Sequence, residues 1–329
     1  MKVSVLVITY NQQRYISEAI NSILMQQVKF DYEIVVGDDA STDQTQAILL
    51  DFQTRYPDKI RLLLRDKSEA EHDRARGLPG KTNHAKTLQA CRGDYVALLD
   101  GDDYWTSPFK LQKQVELLDR RPDCAMSCHP VVIIRDGYDN EPELVLGATQ
   151  NETFTLEEFL AGKCFVAAVS VVFRRGLFED LPPWFYNLVI GDWSLNVLNL
   201  EHGNIAVINE VLAAYRKHSG GMWTGAEGSE KENLEYIKFY KAVNRHLNFR
   251  YDKIIAVKIF MCRVALVAYF CRKGDYASAR AHGLKCLRSR PIHKQLLLKL
   301  KVFLRLYVPP IYRISKKAHH YFPGSVSSS

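Results

Sequence analysis

The chain predicts an α/β fold with a mixed, mostly parallel sheet and helices on both faces. Three observations carry this. Over the first two-thirds of the 329 residues, short apolar runs alternate with segments of helical period. The apolar runs end in polar clusters rather than in hairpin turns, as at Thr9-Tyr10-Asn11, Gly37-Asp38-Asp39 and Asp100-Gly101-Asp102-Asp103. The composition, 47% hydrophobic and 25% charged, is that of an ordinary folded protein.

In chain order, Val3–Thr9 reads as a buried first strand, and Ile16, Ala19, Ile20, Ile23 and Leu24 mark one face of a helix. Tyr32–Val36 is a second strand, Gln44–Tyr56 a second helix and Ile60–Leu64 a third strand. Asp66 to Lys81, charged and glycine-bearing, reads as a surface loop. Asn83–Cys91 reads as a helix, Asp94–Leu99 as the fourth strand, and Pro108 as a first-turn residue of the next helix. Beyond Asp123 the alternation loosens. Ala125–Ile134, Phe165–Phe173 and Asn204–Ile208 read as strands, Trp193–Glu201 as a helix, and Tyr215–Gly228 as a loop. From Glu230 to about Leu306 the chain reads as helical, with an antiparallel turn at Lys273–Arg280. Gly324–Ser329 is expected to be disordered.

The charge is uneven. The whole chain carries +7, yet from Lys253 to Ser329 there are 16 basic residues and one acidic residue, Asp275. A first domain over residues 1–228 and a basic helical region over 229–329 are therefore expected to have different partners. The Gln295–Val308 stretch inserts Lys299, Lys301 and Arg305 among leucines, which suits docking on an anionic membrane surface. The same leucines packed on the protein would be the plain alternative. No continuous apolar run of spanning length occurs, so no spanning helix is expected, and no signal peptide is read at the N-terminus. Seven cysteines, an odd number with no Cys-x-x-Cys pair, fit a reducing cytoplasm and argue against a disulfide scaffold or a zinc knuckle. No recognition motif accompanies the basic charge, so nucleic acid is not an expected partner.

Three strand exits carry candidate chemistry. Thr9-Tyr10-Asn11 lacks the glycine-rich turn of a dinucleotide site, which counts against nicotinamide or flavin chemistry. Tyr10 offers a ring for a nucleobase, although a plain turn capped by Asn11 explains the same residues. Asp39 is placed to accept hydrogen bonds from a uracil N–H or from ribose hydroxyls, while Asp43, Ser41 or Thr42 suffices to cap the next helix. Asp100, Asp102 and Asp103 crowd three carboxylates together, which a hard divalent cation would relieve.

Taken in order, Val5–Asn11, Val36–Asp43 and Leu99–Trp105 resemble the family 2 glycosyltransferases over roughly Val3 to Ser219. The resemblance implies a GT-A fold, a nucleotide-sugar donor and inversion at the anomeric carbon. It makes Asp100-Gly101-Asp102 a D-x-D motif. Asp102 would hold Mg²⁺ or Mn²⁺ on the donor's phosphates, Asp100 would face the ribose or sugar, and Asn83 would line the donor pocket. Transfer needs a base for the acceptor hydroxyl. Asp192 matches that position, although Gly191 departs from the family's frequent Glu, and Asp192 as a plain helix cap is the simpler alternative. His218 would be a metal ligand or diphosphate contact. Trp193, Arg216 and Trp223 are candidates for the acceptor side or for a glycine-bearing lid.

The expected function is transfer of a single sugar, from a donor such as a UDP-sugar, to a saccharide or lipid-linked saccharide. That chemistry belongs to bacterial-type cell-surface polysaccharide or lipopolysaccharide synthesis, with the enzyme peripheral on the cytoplasmic face. The alternatives are a catalytically silent nucleotide-sugar-binding or membrane-scaffold protein, and a nucleotidyltransferase. The latter would need a basic, glycine-rich phosphate loop after the first strand, and none is present.

Overall fold

A computed structural model describes residues 1–136, 144–221, 228–289 and 296–307. The chain divides into two compact units, Met1–Gly221 and Met222–Ser329.

In the first unit, β1 (Val3–Thr9), β2 (Tyr32–Asp38), β3 (Ile60–Leu64) and β4 (Tyr95–Asp100) are mutually parallel, in the order β3-β2-β1-β4. Val5, Val7, Ile34, Val36, Ala97 and Leu99 are buried, which is why these strands read as near-continuous apolar runs. α1 (Ile16–Leu24), α2 (Thr45–Arg55), α3 (Lys67–Ala75) and α4 (Lys81–Ala90) form the crossovers. α1 lays Ile16, Ala19, Ile20 and Ile23 into the core, as its period predicts. The register sets Thr9 beside Asp38 and Ile8 beside Asp100. The chain leaves β1 toward β2 on one side, and β4 lies on the other. The strand ends around β1 therefore open at a topological switch point, where open α/β sheets bind ligands.

α3 corrects the expectation of a surface loop over Asp66–Lys81. The Asp66 carboxylate caps it by accepting from Ser68 N, and Glu69 follows in the first turn. That start signal was outweighed by the segment's charge and glycines.

Beyond β4 come β5 (Tyr104–Trp105), α5 (Lys110–Arg120), β6 (Cys124–Cys128) and β7 (Val131–Arg135). Pro108 lies just before α5, whose cap position is Phe109. The single strand expected over Ala125–Ile134 is two strands in two sheets. Pro130 lacks the N–H that a continuous ladder needs, and the chain changes sheet at His129-Pro130. β8 (Leu144–Leu146), β9 (Thr153–Phe154) and α6 (Leu156–Ala161) follow. The strand expected over Phe165–Phe173 is a 3₁₀ turn at Ala168–Ser170 and then a short β10 (Val172–Arg174). Burial, not strand pairing, makes that run apolar. α7 (Asp192–Leu200), β11 (Asn204–Val207) and β12 (Ala213–Lys217) complete the unit. β12 places Tyr215, Arg216 and Lys217 in a strand rather than in the expected loop.

The main sheet has eight strands in the order β3-β2-β1-β4-β10-β6-β11-β9, with β10 antiparallel to both neighbours. A second sheet runs β5-β12-β7-β8. It joins the segment after β4 to β12 by pairing Ala214 with Tyr104.

The second unit holds α8 (Glu230–His246), α9 (Asp252–Lys273), α10 (Tyr276–Arg288) and α11 (Leu296–Tyr307). Gly274, in the left-handed region at φ 77°, ends α9, and Asp275 caps α10 through Ser278 N. Phe260, Leu266, Val267, Phe270, Ala279, Cys286, Val302 and Leu306 form its core. Leu306 lies over Gly283, where any side chain would overlap it. Leu300, Phe303 and Tyr307 stay exposed. α9 is a helix that the search for unbroken apolar runs does not pick out. It contains an 18-residue window of mean hydropathy 2.1, only 28% of it buried, and it is long and apolar enough to cross. Lys258 and Arg263 interrupt the run, so no uninterrupted apolar stretch shows in the sequence. The expected disordered end at Gly324–Ser329 lies outside the described residues.

Candidate active site

The switch point gathers the predicted residues. Asn11 and Ala40 both adopt left-handed backbone, φ 53° and 59°, which costs a non-glycine residue about 1 kcal/mol or more and marks a held loop. The β1–α1 and β2–α2 loops are laced together. Thr42 N donates to Asn11 Oδ1, Asn11 N to Ser41 Oγ, and Gln13 N to Asp43 Oδ2. Asp38 accepts from Ser41 N and Gln46 Nε2, so its role is to brace this loop. Asp39 N donates to Thr9 O, and Gly101 N to Ile8 O, which ties all three strand exits to β1. Thr9 is buried with its hydroxyl on Gln12 Oε1, and a side chain at 101 would collide with that pair.

Tyr10 is 42% exposed, and the Arg74 guanidinium lies over its ring at 4.2 Å. Arg74 also donates to Asp39 Oδ2 at 3.1 Å, and Arg65 to Asp39 Oδ1 at 2.5 Å. Burial raises the Asp39 carboxyl above its usual range, and the two arginines oppose that rise. The Tyr10–Arg74–Asp39 group combines an aromatic surface with a fixed carboxylate edge. Nothing local in the sequence marks Arg65 and Arg74, and Arg74 lies in the charged, glycine-bearing stretch that reads as a loop.

Asn83 is buried, and its amide donates to Gly37 O. That contact fixes α4 to the exit of β2, and in this arrangement Asn83 is a tie rather than an exposed pocket wall. Asp100, Asp102 and Asp103 place carboxylate oxygens within 4.8 Å of one another. Desolvation pushes Asp100 up to about 8, with Asp102 and Asp192 adding to the rise. Asp103 is also raised well above the usual carboxylate range, by burial and then by Asp102 and Asp100. Its Oδ1 accepts from Arg216 N, and its Oδ2 is buried without a partner. Asp103 therefore ties the motif to β12, well before α5 begins at Lys110.

His218 Nε2 lies 2.9 Å from Asp102 Oδ2. Three clustered carboxylates, with the His218 imidazole on Asp102 and with Asp100 and Asp103 pushed toward the neutral form, make a donor set that fits Mg²⁺ or Mn²⁺. Arg216 is 7% exposed, donates from Nε to Asp102 O, and pairs with Glu18. That burial corrects its expected place on a lid; it holds the Asp102 backbone. Trp193 packs edge-on against Phe159 at 5.9 Å. Trp223 lies outside the described residues. Asp192 is the first residue of α7, partly exposed, and burial raises its carboxyl. Gly191 holds the cap position, and the Asp192 carboxylate one residue on accepts from the Trp193 backbone N–H in the first turn, so it helps close the helix start as well as facing the site.

The order of strands, the switch-point site and the acidic exit of β4 define the GT-A class of nucleotide-sugar-dependent fold. The chain belongs to glycosyltransferase family 2, whose model matches residues 4–181. An uncharacterized Mycobacterium tuberculosis protein is 39% identical over 227 residues, 68% of this chain and 61% of its own length. The chain thus spans about three-fifths of that relative. TarS of Staphylococcus aureus, a poly(ribitol-phosphate) β-N-acetylglucosaminyltransferase, is 41% identical over 105 residues, 32% of this chain and 17% of its own. Its residues 1–349, solved with UDP-GlcNAc, superpose with a TM-score of 0.52 at 18% identity, covering 86% of this chain and 90% of that one. A Pyrobaculum calidifontis mannosyltransferase solved with GDP-Man and Mn²⁺ gives 0.56 at 18% identity, covering 97% and 84%.

Proposed function

We propose that this protein transfers one sugar, with inversion, from a nucleotide-sugar donor of the UDP type to a saccharide or lipid-linked saccharide acceptor. The observation that carries the reading is the convergence of the Asp100–Asp102–Asp103–His218 cluster and Asp192 on one strand-end site. The nucleotide base lies on Tyr10, with Asp39 accepting from its N–H or from ribose hydroxyls. Asp102 and His218 would hold the divalent ion, with Asp100 beside them facing the donor. Bound there, Mg²⁺ or Mn²⁺ offsets the charge developing on the departing diphosphate. Asp192 takes the proton from the acceptor hydroxyl as its oxygen attacks C1. The C1–O bond to the diphosphate breaks on the opposite face, and the configuration inverts. Both names found among the neighbours, a UDP-GlcNAc complex and a GDP-Man complex with Mn²⁺, support a nucleotide-sugar donor and a divalent metal.

Tyr10→Ala tests the donor site. Base–aromatic stacking contributes about 1–3 kcal/mol. The variant should bind UDP in the presence of Mn²⁺ about 5- to 150-fold more weakly by calorimetry, with an unchanged melting temperature. Equal affinity would remove the base from Tyr10.

We further propose that the basic C-terminal unit docks the enzyme on an anionic membrane at the cytoplasmic face, where a lipid-linked acceptor would lie. Each well-placed Lys or Arg contributes about 1 kcal/mol, and Leu300 and Phe303 leave apolar surface exposed on α11. Removing residues 294–329 should abolish co-sedimentation with phosphatidylglycerol vesicles. Undiminished co-sedimentation would contradict this role for the tail.

A further inference from the structure

We propose that Lys81 is a positioning residue for sugar transfer, the fixed counter-charge that stands behind Asp192 and keeps its carboxylate ready to accept the acceptor's proton. The proposal rests on Asp192 being the base.

Lys81 opens α4, the helix that enters the site from the side of β2. It is only 4% exposed, and its ammonium has no hydrogen-bond partner. A buried cation without a partner is costly and calls for a nearby anion. The Phe185 ring lies 4.2 Å from Nζ and closes one side. The start of α7 closes another. A Cβ added to Gly191 would stand 3.3 Å from Lys81 Nζ and 2.9 Å from His84 Nδ1. The glycine before Asp192 is thus what lets the ammonium lie against the first turn of α7.

Two carboxylates act on Lys81, Asp192 first and Asp73 second. Asp73 is already engaged, at 3.2 Å from Arg65 Nη1 and 3.0 Å from Thr82 N. Asp192 forms no ion pair within 4 Å among the described residues, and Lys81 is the cation that acts on it. The remaining groups around Asp192 do not substitute. His84, beside Lys81 on α4, is pushed down to about 3 by burial and stays neutral. Asp100, at the end of β4, interacts with Asp192 as a like charge. Tyr215 on β12 carries no positive charge, and its hydroxyl is raised by burial. Burial also lowers Lys81 itself to about 8, so it remains cationic through neutral pH.

The sign follows directly. An opposite charge within a few ångströms favours the ionised carboxylate. Without it, burial alone acts on Asp192, which then holds its proton to a higher pH and is a poorer base in mildly acidic solution. A purely structural lysine would lower the rate equally at every pH.

The test is the pH profile of kcat/KM for donor turnover by the full chain with Mn²⁺. Lys81→Met should move the acidic limb up by about one pH unit. It should lose up to about tenfold on the acidic side of the limb and recover that loss on the alkaline side. Lys81→Arg, which keeps the charge, should leave the limb in place. A limb unmoved in Lys81→Met, or a loss of equal size at all pH values, overturns the proposal. If Lys81→Met does not fold, Gly191→Ala displaces the ammonium while retaining it, and the same upward shift is expected; an unmoved limb there is equally contradictory. Asp192→Asn separates the two claims. If it keeps full activity, the base assignment falls and this role with it. If it is inactive while the Lys81→Met limb is unmoved, only the role of Lys81 falls.

Discussion

Asp192→Asn is expected to lower transfer by about 10²–10⁴-fold, the usual contribution of a positioned base, while donor affinity stays within a factor of about two. The substitution is nearly isosteric. Asp192 opens α7 and accepts from the Trp193 backbone N–H, which an asparagine oxygen also does. The fold around it therefore has no reason to change, and the loss falls on kcat. Measured turnover with a saccharide acceptor, set beside UDP affinity from calorimetry, separates the two quantities. A variant that transfers at the parental rate would remove Asp192 from the base role. A variant that loses donor binding in parallel would make it a donor contact instead.

Asp102→Asn should lower kcat by at least about 10²-fold and abolish the Mn²⁺ dependence of UDP binding. What Arg216 grips is the Asp102 backbone carbonyl, not its carboxylate, so the loop stays in place when the charge is removed. The side chain meets His218, and it adds to the charge that raises Asp100 and Asp103. On the proposed reading, removing it would take one ligand from the ion and relieve the crowding that the ion would offset. Titrating UDP with and without Mn²⁺ against both proteins checks this. Metal-dependent binding that persists in the variant would place the ion elsewhere.

The parts of this site that were legible in the sequence are those whose chemistry is local. A buried strand followed at once by Asp100-Gly101-Asp102 announces both its position and its charge, and the parallel register then carries it beside Thr9 and Asp38. The partners of those residues were hidden, because they come from elsewhere in the chain. Arg74 reaches Asp39 from α3, a helix whose capping signal at Asp66 lay inside a charged stretch. Asp103 reads by sequence as a third acid of the cluster, yet it serves β12 more than a hundred residues away. Arg216 looked mobile beside glycines and proved to be buried by Asp102 and Glu18. Lys81 gave no signal, since a lysine at the edge of a polar segment reads as solvated until the packing of Gly191 and Phe185 against it is seen. The same limit applies to α9, where Lys258 and Arg263 conceal an apolar helix from a search for unbroken runs.

The central claim is that the acidic exit of β4 binds a metal–nucleotide-sugar complex for group transfer. Its most direct measurement is the release of UDP from a UDP-sugar by the purified full chain in Mn²⁺, compared with the same reaction after chelation and with Asp102→Asn. The account predicts release in Mn²⁺ that chelation and the substitution each abolish. Release at the same rate in all three, or no binding and no release with any nucleotide sugar tried, would contradict it.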